Sequence, residues 1–528
     1  MSTDVNPLGS EESSAGIITR RSQRIFLIAI ALGFLLRLIS VVYGDISSGG
    51  DGMWRLAFAV DWAEKPYYHG LYEIWPPLHF YFLGALIWLW DEPIILAKLV
   101  NFVLGMGTLV ILRSTIRPLF GDLVAAISVL LLAVYWTHIW LTSSYWVEIP
   151  FIFLVFLAVH RTIRTAQTSS RRDAFLAGIY LALAILLRHE GSLLLVVFLI
   201  WYALNIRERV LILIFAAVPA YAAAGEFIEP WLNHGSFFEF ASLVRNMKAE
   251  ENALQGYTLR DCLYLWVLMP MSVPSMFVVV PGLYGLWMAR RRIRYDLFAW
   301  MFIAQVGFYL TMTLTSAWRP QLRYVLLCFV NLIPYSAVAW AAMMRRFSPA
   351  PVLAGLLLAT MATQSAAWWV GRNNRLPMGW LPLQAQTTAQ KALDDWLAKV
   401  KQSDPDEIRM VSFVQGSIRE PWSMVHGFLV NRIPLRMFRS TEMYVAEIPD
   451  IRRGELPPQA YTVDIILIDP KADFYPEVLR AVRNRHPYAQ VAEIHPHING
   501  LLLSQEAVAV VSGSDPPSGP SAREGPDH

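Results

Sequence analysis

The sequence predicts a polytopic α-helical membrane protein, about eleven transmembrane helices with a small C-terminal α/β domain, on three observations. First, 55% of the 528 residues are hydrophobic and only 16% are charged, whereas soluble domains run nearer a quarter charged. Second, long apolar runs recur from residue 25 to residue 370, separated by short polar turns. Third, beyond Gly371 the charge rises and the apolar runs shorten to strand length. The 20 tryptophans, 21 tyrosines and 27 phenylalanines suit a chain that meets the membrane interface many times. The 44 basic and 41 acidic residues nearly cancel, with no concentrated basic face for a nucleic acid. Two cysteines, Cys262 and Cys328, cannot build a disulfide framework or a zinc site.

Residues 1–19 are rich in Ser, Glu and Gly and are read as a disordered tail. The first run, Ile25–Tyr43, is too long for a signal peptide and follows Arg20, Arg21 and Arg24, which anchor the N-terminus inside. Further crossings are expected near 94–112, 123–141, 147–160, 174–187, 192–205, 209–225, 263–288, 297–316, 322–343 and 350–370. The stretch Trp75–Trp90 decides the sidedness of everything after it. If it does not cross, the basic turns carrying Arg113, Arg161, Arg164, Arg207, Arg290 and Arg345 all fall inside with the N-terminal arginines. The positive-inside rule therefore favours eleven crossings, with 75–90 as an interfacial helix that Pro76-Pro77 starts.

This topology sends the polar residues outward. The first outer loop, 44–75, carries Asp45, Asp51, Asp61, Glu64 and Glu73. Asp51 sits in Ser-Ser-Gly-Gly-Asp-Gly, where the glycines allow close approach of backbone to substrate and a carboxylate could take a proton from a hydroxyl. A solvated loop aspartate is the plainer reading of that motif alone. Glu148 opens the run Ile149–Val159 at the outer boundary, where an ionisable group faces a cavity or a partner, or caps a helix N-terminus. Arg188-His189-Glu190 interrupts two apolar runs that are each short of a full span, which suggests a recess below the surface. An internal Arg188–Glu190 pair would account for two of these residues, and His189 reads as a hydrogen-bonded spacer. Arg323, followed by Tyr324, enters from the same side, and two arginines converging with carboxylates nearby suggest an anionic ligand.

After Gly371, segments Ile408–Val414, Val463–Ile468, Gln490–Ile494 and Leu501–Leu503 read as strands, and Thr387–Val400 and Tyr475–Arg485 as helices. The expected division is a tail 1–19, a membrane domain 20–370, an extracytoplasmic α/β domain 371–511 and a disordered tail 512–528.

The ordered motifs resemble the GT-C glycosyltransferases: an outer-loop aspartate after helix one, Trp-Pro-Pro-Leu at 75–78, Glu148 after a Tyr-Trp turn, Leu-Leu-Arg-His-Glu-Gly at 186–191 and Leu-Arg-Tyr at 322–324. They look most like the branch with protein O-mannosyltransferases, the lipid A aminoarabinose transferase and lipopolysaccharide galacturonosyltransferases. The resemblance implies a GT-C-like fold, and transfer of one sugar, with inversion, from a polyprenyl-phosphate donor to a hydroxyl on a lipid, glycan or protein. It implies interfacial helices in the first outer loop around Asp51 and Asp51 as general base, with Glu148 and Glu190 orienting the sugar, the acceptor or the arginines. Arg188, Glu190, Arg323, Tyr324 and His189 would bind the donor phosphate or sugar, and Arg55, Trp75 and His79 would touch substrate from the first loop. No cofactor is required; room is left for a divalent metal on Asp51 and Glu148. The implied setting is a multi-pass protein of a bacterial-type plasma membrane with its site and C-terminal domain outside. The chain departs from many relatives in having Gly52 after Asp51 and Trp75 where aminoarabinose-type enzymes carry lysine, and Trp368-Trp369 lacks the aspartate of oligosaccharyltransferases. The competing classes are a secondary transporter, disfavoured by the absence of an internal repeat, and a non-catalytic scaffold with an outer partner-binding domain.

Overall fold

Apolar runs of this length leave the backbone no partner but itself, so they are laid down as helices. The computed structural model describes residues 8–43, 50–66, 75–235, 275–291, 296–316, 322–346 and 475–495, the segments 410–413, 465–468 and 498–503, and isolated positions within 258–266, at 355 and at 395–396. In chain order the helices are α1 (Leu8–Tyr43), α2 (Gly50–Glu64), α3 (Leu78–Leu89), α4 (Pro93–Phe120), α5 (Asp122–Ala133), α6 (Trp136–Thr142), α7 (Glu148–Thr168), α8 (Arg171–Ile185), α9 (Glu190–Asn205), α10 (Arg209–His234), α11 (Ser275–Met288), α12 (Leu297–Ser316) and α13 (Leu322–Arg346). Strands β1 (Met410–Phe413) and β2 (Ile465–Ile468), helix α14 (Tyr475–Arg485) and strands β3 (Gln490–His495) and β4 (Ile498–Leu502) follow. The chain forms two units: Met1–Asp45 with Tyr67–Gln384, and Ile46–Pro66 with Ala385–His528.

In the first unit, six helices among the described residues are long and apolar enough to cross a bilayer, or seven if the bent pair α5–α6 is one span. The count of eleven included shorter segments. Helices α9 and α11, of 16 and 14 residues, are apolar but reach only about 21–24 Å at 1.5 Å per residue. The crossing expected at 350–370 lies outside the described residues apart from Gly355. The stretch 75–90, expected at the interface, holds the 12-residue apolar helix α3, which follows Pro76-Pro77. Helix α1 begins at Leu8, well inside the stretch expected to be a disordered tail. Ser and Glu are neutral to good helix formers, and a covalent link to a long apolar helix removes the nucleation cost of extending it.

The crossing expected at 123–141 is broken into α5 and α6 at a 62° bend. A side chain from α1 explains how the break survives in an apolar medium. Arg37 is fully buried and donates to the carbonyls of Leu132 (3.2 Å), which also accepts from the Tyr135 amide, and Ala133 (2.9 Å) at the end of α5, and it lies 2.9 Å from His138 Nδ1 on α6. Polar side chains elsewhere tie helix ends together. Arg161 and Arg164 on α7 reach Asp173 at the start of α8, at 2.8 and 3.5 Å, and Ser170 caps that helix. Close backbone approach depends on small residues. A Cβ at Gly285 of α11 would lie 1.9 Å from the Tyr335 carbonyl oxygen on α13. Helix α13 is the most enclosed of the long helices and runs through the core that α5, α11 and α12 share.

The second unit carries a four-stranded sheet of order β1-β2-β4-β3, with β1 parallel to β2 and the other pairs antiparallel. All four strands overlap the stretches expected from alternation, and α14 has the expected bounds, burying Val478 and Val482 and exposing Arg480 and Arg483. The helix expected at 387–400 falls outside the described residues except for 395–396. Helix α2 belongs to this unit by its chain segment, and Asp51 is its second residue, within the outer loop expected to carry helices.

Candidate functional site

Two breaks in the helical ladder build the site. The first is the turn 143–147 between α6 and α7, held by Asn101 of α4, whose Nδ2 donates to the carbonyls of Ser144 (2.7 Å) and Trp146 (2.8 Å). It puts Glu148 in the first turn of α7, where a carboxylate favours the helix dipole. The second is the turn Leu186–His189 between α8 and α9, to whose Leu186 carbonyl the Leu78 amide donates at 3.0 Å. The Trp75-Pro-Pro-Leu78 motif is thereby docked two residues ahead of Arg188.

Arg188 joins the two breaks. One terminal nitrogen donates to Glu148 Oε1 at 2.5 Å, the other to Glu190 Oε1 at 2.5 Å, and Nε to Glu190 Oε2 at 3.2 Å. Its side chain is 9% exposed, and those of Glu148 and Glu190 are 4% and 16% exposed. Glu190 also accepts from the Tyr309 hydroxyl of α12 at 2.9 Å. One guanidinium thus faces two carboxylates. Arg323, at the start of α13, lies over the rings of Trp146 (4.3 Å) and Tyr324 (4.4 Å) and donates to the Tyr324 hydroxyl at 2.6 Å, while the Arg188 guanidinium sits 5.2 Å from the same ring. These groups border a narrow cleft of about 10 Å³, room for about one water molecule, lined by Glu148, Phe151, Ile152, Arg188, Gln305, Tyr309, Arg323, Tyr324 and Leu327. The cleft lies at the opposite end of α7 from Arg161: thirteen residues separate Glu148 from that basic turn, about 20 Å along the axis.

The structure therefore gathers Glu148, Arg188, Glu190, Arg323 and Tyr324 in one place, and it forms the internal Arg188–Glu190 pair that the sequence allowed. His189 turns elsewhere: its Nδ1 lies 3.0 Å from Glu226 Oε1 of α10, whose other oxygen accepts from Ser192 at 2.7 Å. Trp75 is half-buried and His79 buried at the start of α3, and neither lines the cleft. Asp51 and the buried Arg55 stand on α2, in the second unit. Sequence reasoning missed Gln305, Tyr309, Phe151 and Glu226. Gln305 and Tyr309 had a signal, being two polar-tipped residues four apart, hence on one face, in an apolar helix. Among the described residues no three His, Cys, Asp or Glu side chains gather at metal-binding spacing.

A sequence family described as Dolichyl-phosphate-mannose-protein mannosyltransferase matches residues 75–232, which span α3 to α10 and include Glu148, Arg188 and Glu190. Among solved structures, ArnT from Cupriavidus metallidurans bound to undecaprenyl phosphate is similar with a TM-score of 0.59, at 12% identity over 91% of this chain and 98% of that one. Its apo state gives 0.57, at 13% identity over 94% and 99%. The Archaeoglobus fulgidus oligosaccharyltransferase tethered with an acceptor peptide gives 0.50, at 11% identity over 92% and 74%. No curated protein matches by sequence. The chain has the fold of the GT-C membrane glycosyltransferases, as its motifs led us to expect.

Proposed function

We propose that the protein is a membrane glycosyltransferase that moves one sugar from a polyprenyl-phosphate carrier to an acceptor hydroxyl on the extracytoplasmic face, with inversion at the anomeric carbon. The observation that carries the reading is the buried Glu148–Arg188–Glu190 cluster beside Arg323, opening into a cleft within a GT-C fold. Ionisable groups at this depth are expensive unless they serve a pathway or a ligand. The undecaprenyl phosphate held by the structurally similar ArnT supports a lipid-phosphate donor.

In this mechanism Arg323 meets the donor phosphate and stabilises the charge that grows on it as the glycosidic bond breaks. All three Arg188 nitrogens already serve carboxylates, so Arg188 orients Glu148 and adds to the local field. Asp51 takes the proton from the acceptor hydroxyl as its oxygen attacks the anomeric carbon. The basic turn at the far end of α7 and α8 supports a cytoplasmic assignment for that end, and so an outward-facing cleft. The test is transfer from a panel of polyprenyl-phosphate sugars by purified protein. Asp51→Asn should abolish transfer with expression intact, and near-normal activity in that variant removes Asp51 as the base.

A further inference from the structure

Two aromatic rings hold Arg323. Its guanidinium lies 4.3 Å from the ring centroid of Trp146 and 4.4 Å from that of Tyr324. Stacking covers a flat face of the guanidinium and consumes none of its N–H donors, which lie in its plane. Arg188 is held differently, because all three of its nitrogens donate to carboxylates. Trp146 is itself firmly fixed. The residue is 4% exposed, its carbonyl accepts from Asn101 Nδ2 at 2.8 Å, and its indole meets the Trp140 ring at 6.0 Å. It stands two residues ahead of Glu148, so the turn that delivers the Arg188 acceptor also delivers a platform for Arg323.

We propose that Trp146 is a positioning residue for sugar transfer, its indole face ordering Arg323 so that the N–H edge is presented to the donor phosphate. The inference rests on the proposed donor chemistry. As the glycosidic bond breaks, its electron pair passes to the phosphate oxygen, and an arginine already in place meets that charge without reorganising. A long side chain ordered in advance also loses no further rotamer freedom at that moment. A carboxylate could order Arg323 too, but it would occupy donors that a phosphate needs and offset the positive charge. A tryptophan face, the strongest aromatic partner for a cation, does neither. A tryptophan that merely fills the core matters by its shape and apolar area; one that positions a cation matters also by the electron density of its ring.

The test is binding of bare undecaprenyl phosphate to full-length protein in phosphatidylcholine nanodiscs, with Trp146 alone replaced by tryptophans carrying one to four ring fluorines. Fluorine keeps the shape of the indole and drains its negative face, so no refolding of the site is required. Affinity should fall stepwise with fluorine number, by about tenfold across the series, the range of a desolvated cation–π contact. Trp146→Leu should lose about as much, and Trp146→Phe less, because a benzene face still attracts the guanidinium. The same fluorinated series at the neighbouring Trp140 should leave affinity unchanged. Constant affinity across the Trp146 series, or an equal decline at Trp140, overturns the inference. Failure of wild-type protein to bind undecaprenyl phosphate at all overturns the donor chemistry, and the positioning role with it.

Discussion

Replacing Arg188 with Met removes one charge at nearly constant side-chain length. In the structure this guanidinium makes three hydrogen bonds to two carboxylates, on side chains 9% exposed for the arginine and 4% and 16% exposed for the glutamates. The variant leaves two acids buried side by side with no cation between them. Removing one partner of a buried pair costs about 3–5 kcal/mol. Here one deletion strands two partners, so the expected loss lies at the upper end, about 5 kcal/mol. Unfolding free energy measured by SDS titration in mixed micelles would show it. The triple variant Arg188→Met, Glu148→Gln, Glu190→Gln should regain most of that loss, because neutral amides can hydrogen-bond to each other and no charge remains buried. A single variant within about 1 kcal/mol of wild type, the range of exposed pairs, would refute the claim that this cluster is a buried ion network.

Three further outcomes follow from the same structure. Arg37→Met strips the Ala133 carbonyl of its side-chain donor at the α5–α6 break, while the Leu132 carbonyl keeps the Tyr135 amide at 3.2 Å, and should destabilise by about 1–3 kcal/mol, read by the same titration. Gly285→Ala drives a methyl into the Tyr335 carbonyl and should separate α11 from α13 at a cost of about 1–3 kcal/mol or more, whereas Gly307→Ala, with nothing within 4 Å, should leave stability near wild type. Asp173 sits just ahead of the crossing expected at 174–187; burial pushes its carboxyl up, but the Arg161 hydrogen bond and the charges of Arg164 and Arg161 hold it below the usual 3.8. Its folded value is depressed, so its contribution is complete well above pH 3.8 and fades as pH falls through the lower folded value. Asp173→Asn should flatten that acid limb in a pH series of unfolding curves.

Much of the site could be read in one dimension. Leu-Leu-Arg-His-Glu-Gly stands out because three polar residues interrupt apolar runs that would otherwise merge, and a bilayer tolerates such a break only where a cavity or partner receives it. Glu148 stands out by its position at an apolar boundary. Helix α14 and the four strands were legible because alternation and helical spacing are local properties of the chain. The bend between α5 and α6 was not, since nothing in Val-Tyr-Trp marks a helix break until Arg37, about a hundred residues upstream, supplies the donors for it. Glu226, one residue past the crossing expected at 209–225, likewise gains its partners His189 and Ser192 only in the fold.

Composition and period decided the medium and the elements, because the cost of burying a charge and the pitch of a helix are felt residue by residue. Partnership was decided only in three dimensions. That Arg188 is held by Glu148 and Glu190, that Gln305 and Tyr309 reach the same cleft from more than a hundred residues away, and that one oxygen of Glu148 stays uncommitted are consequences of how the helices pack. An ion pair has energy only at a distance, and the spacing of residues along the chain does not contain that distance.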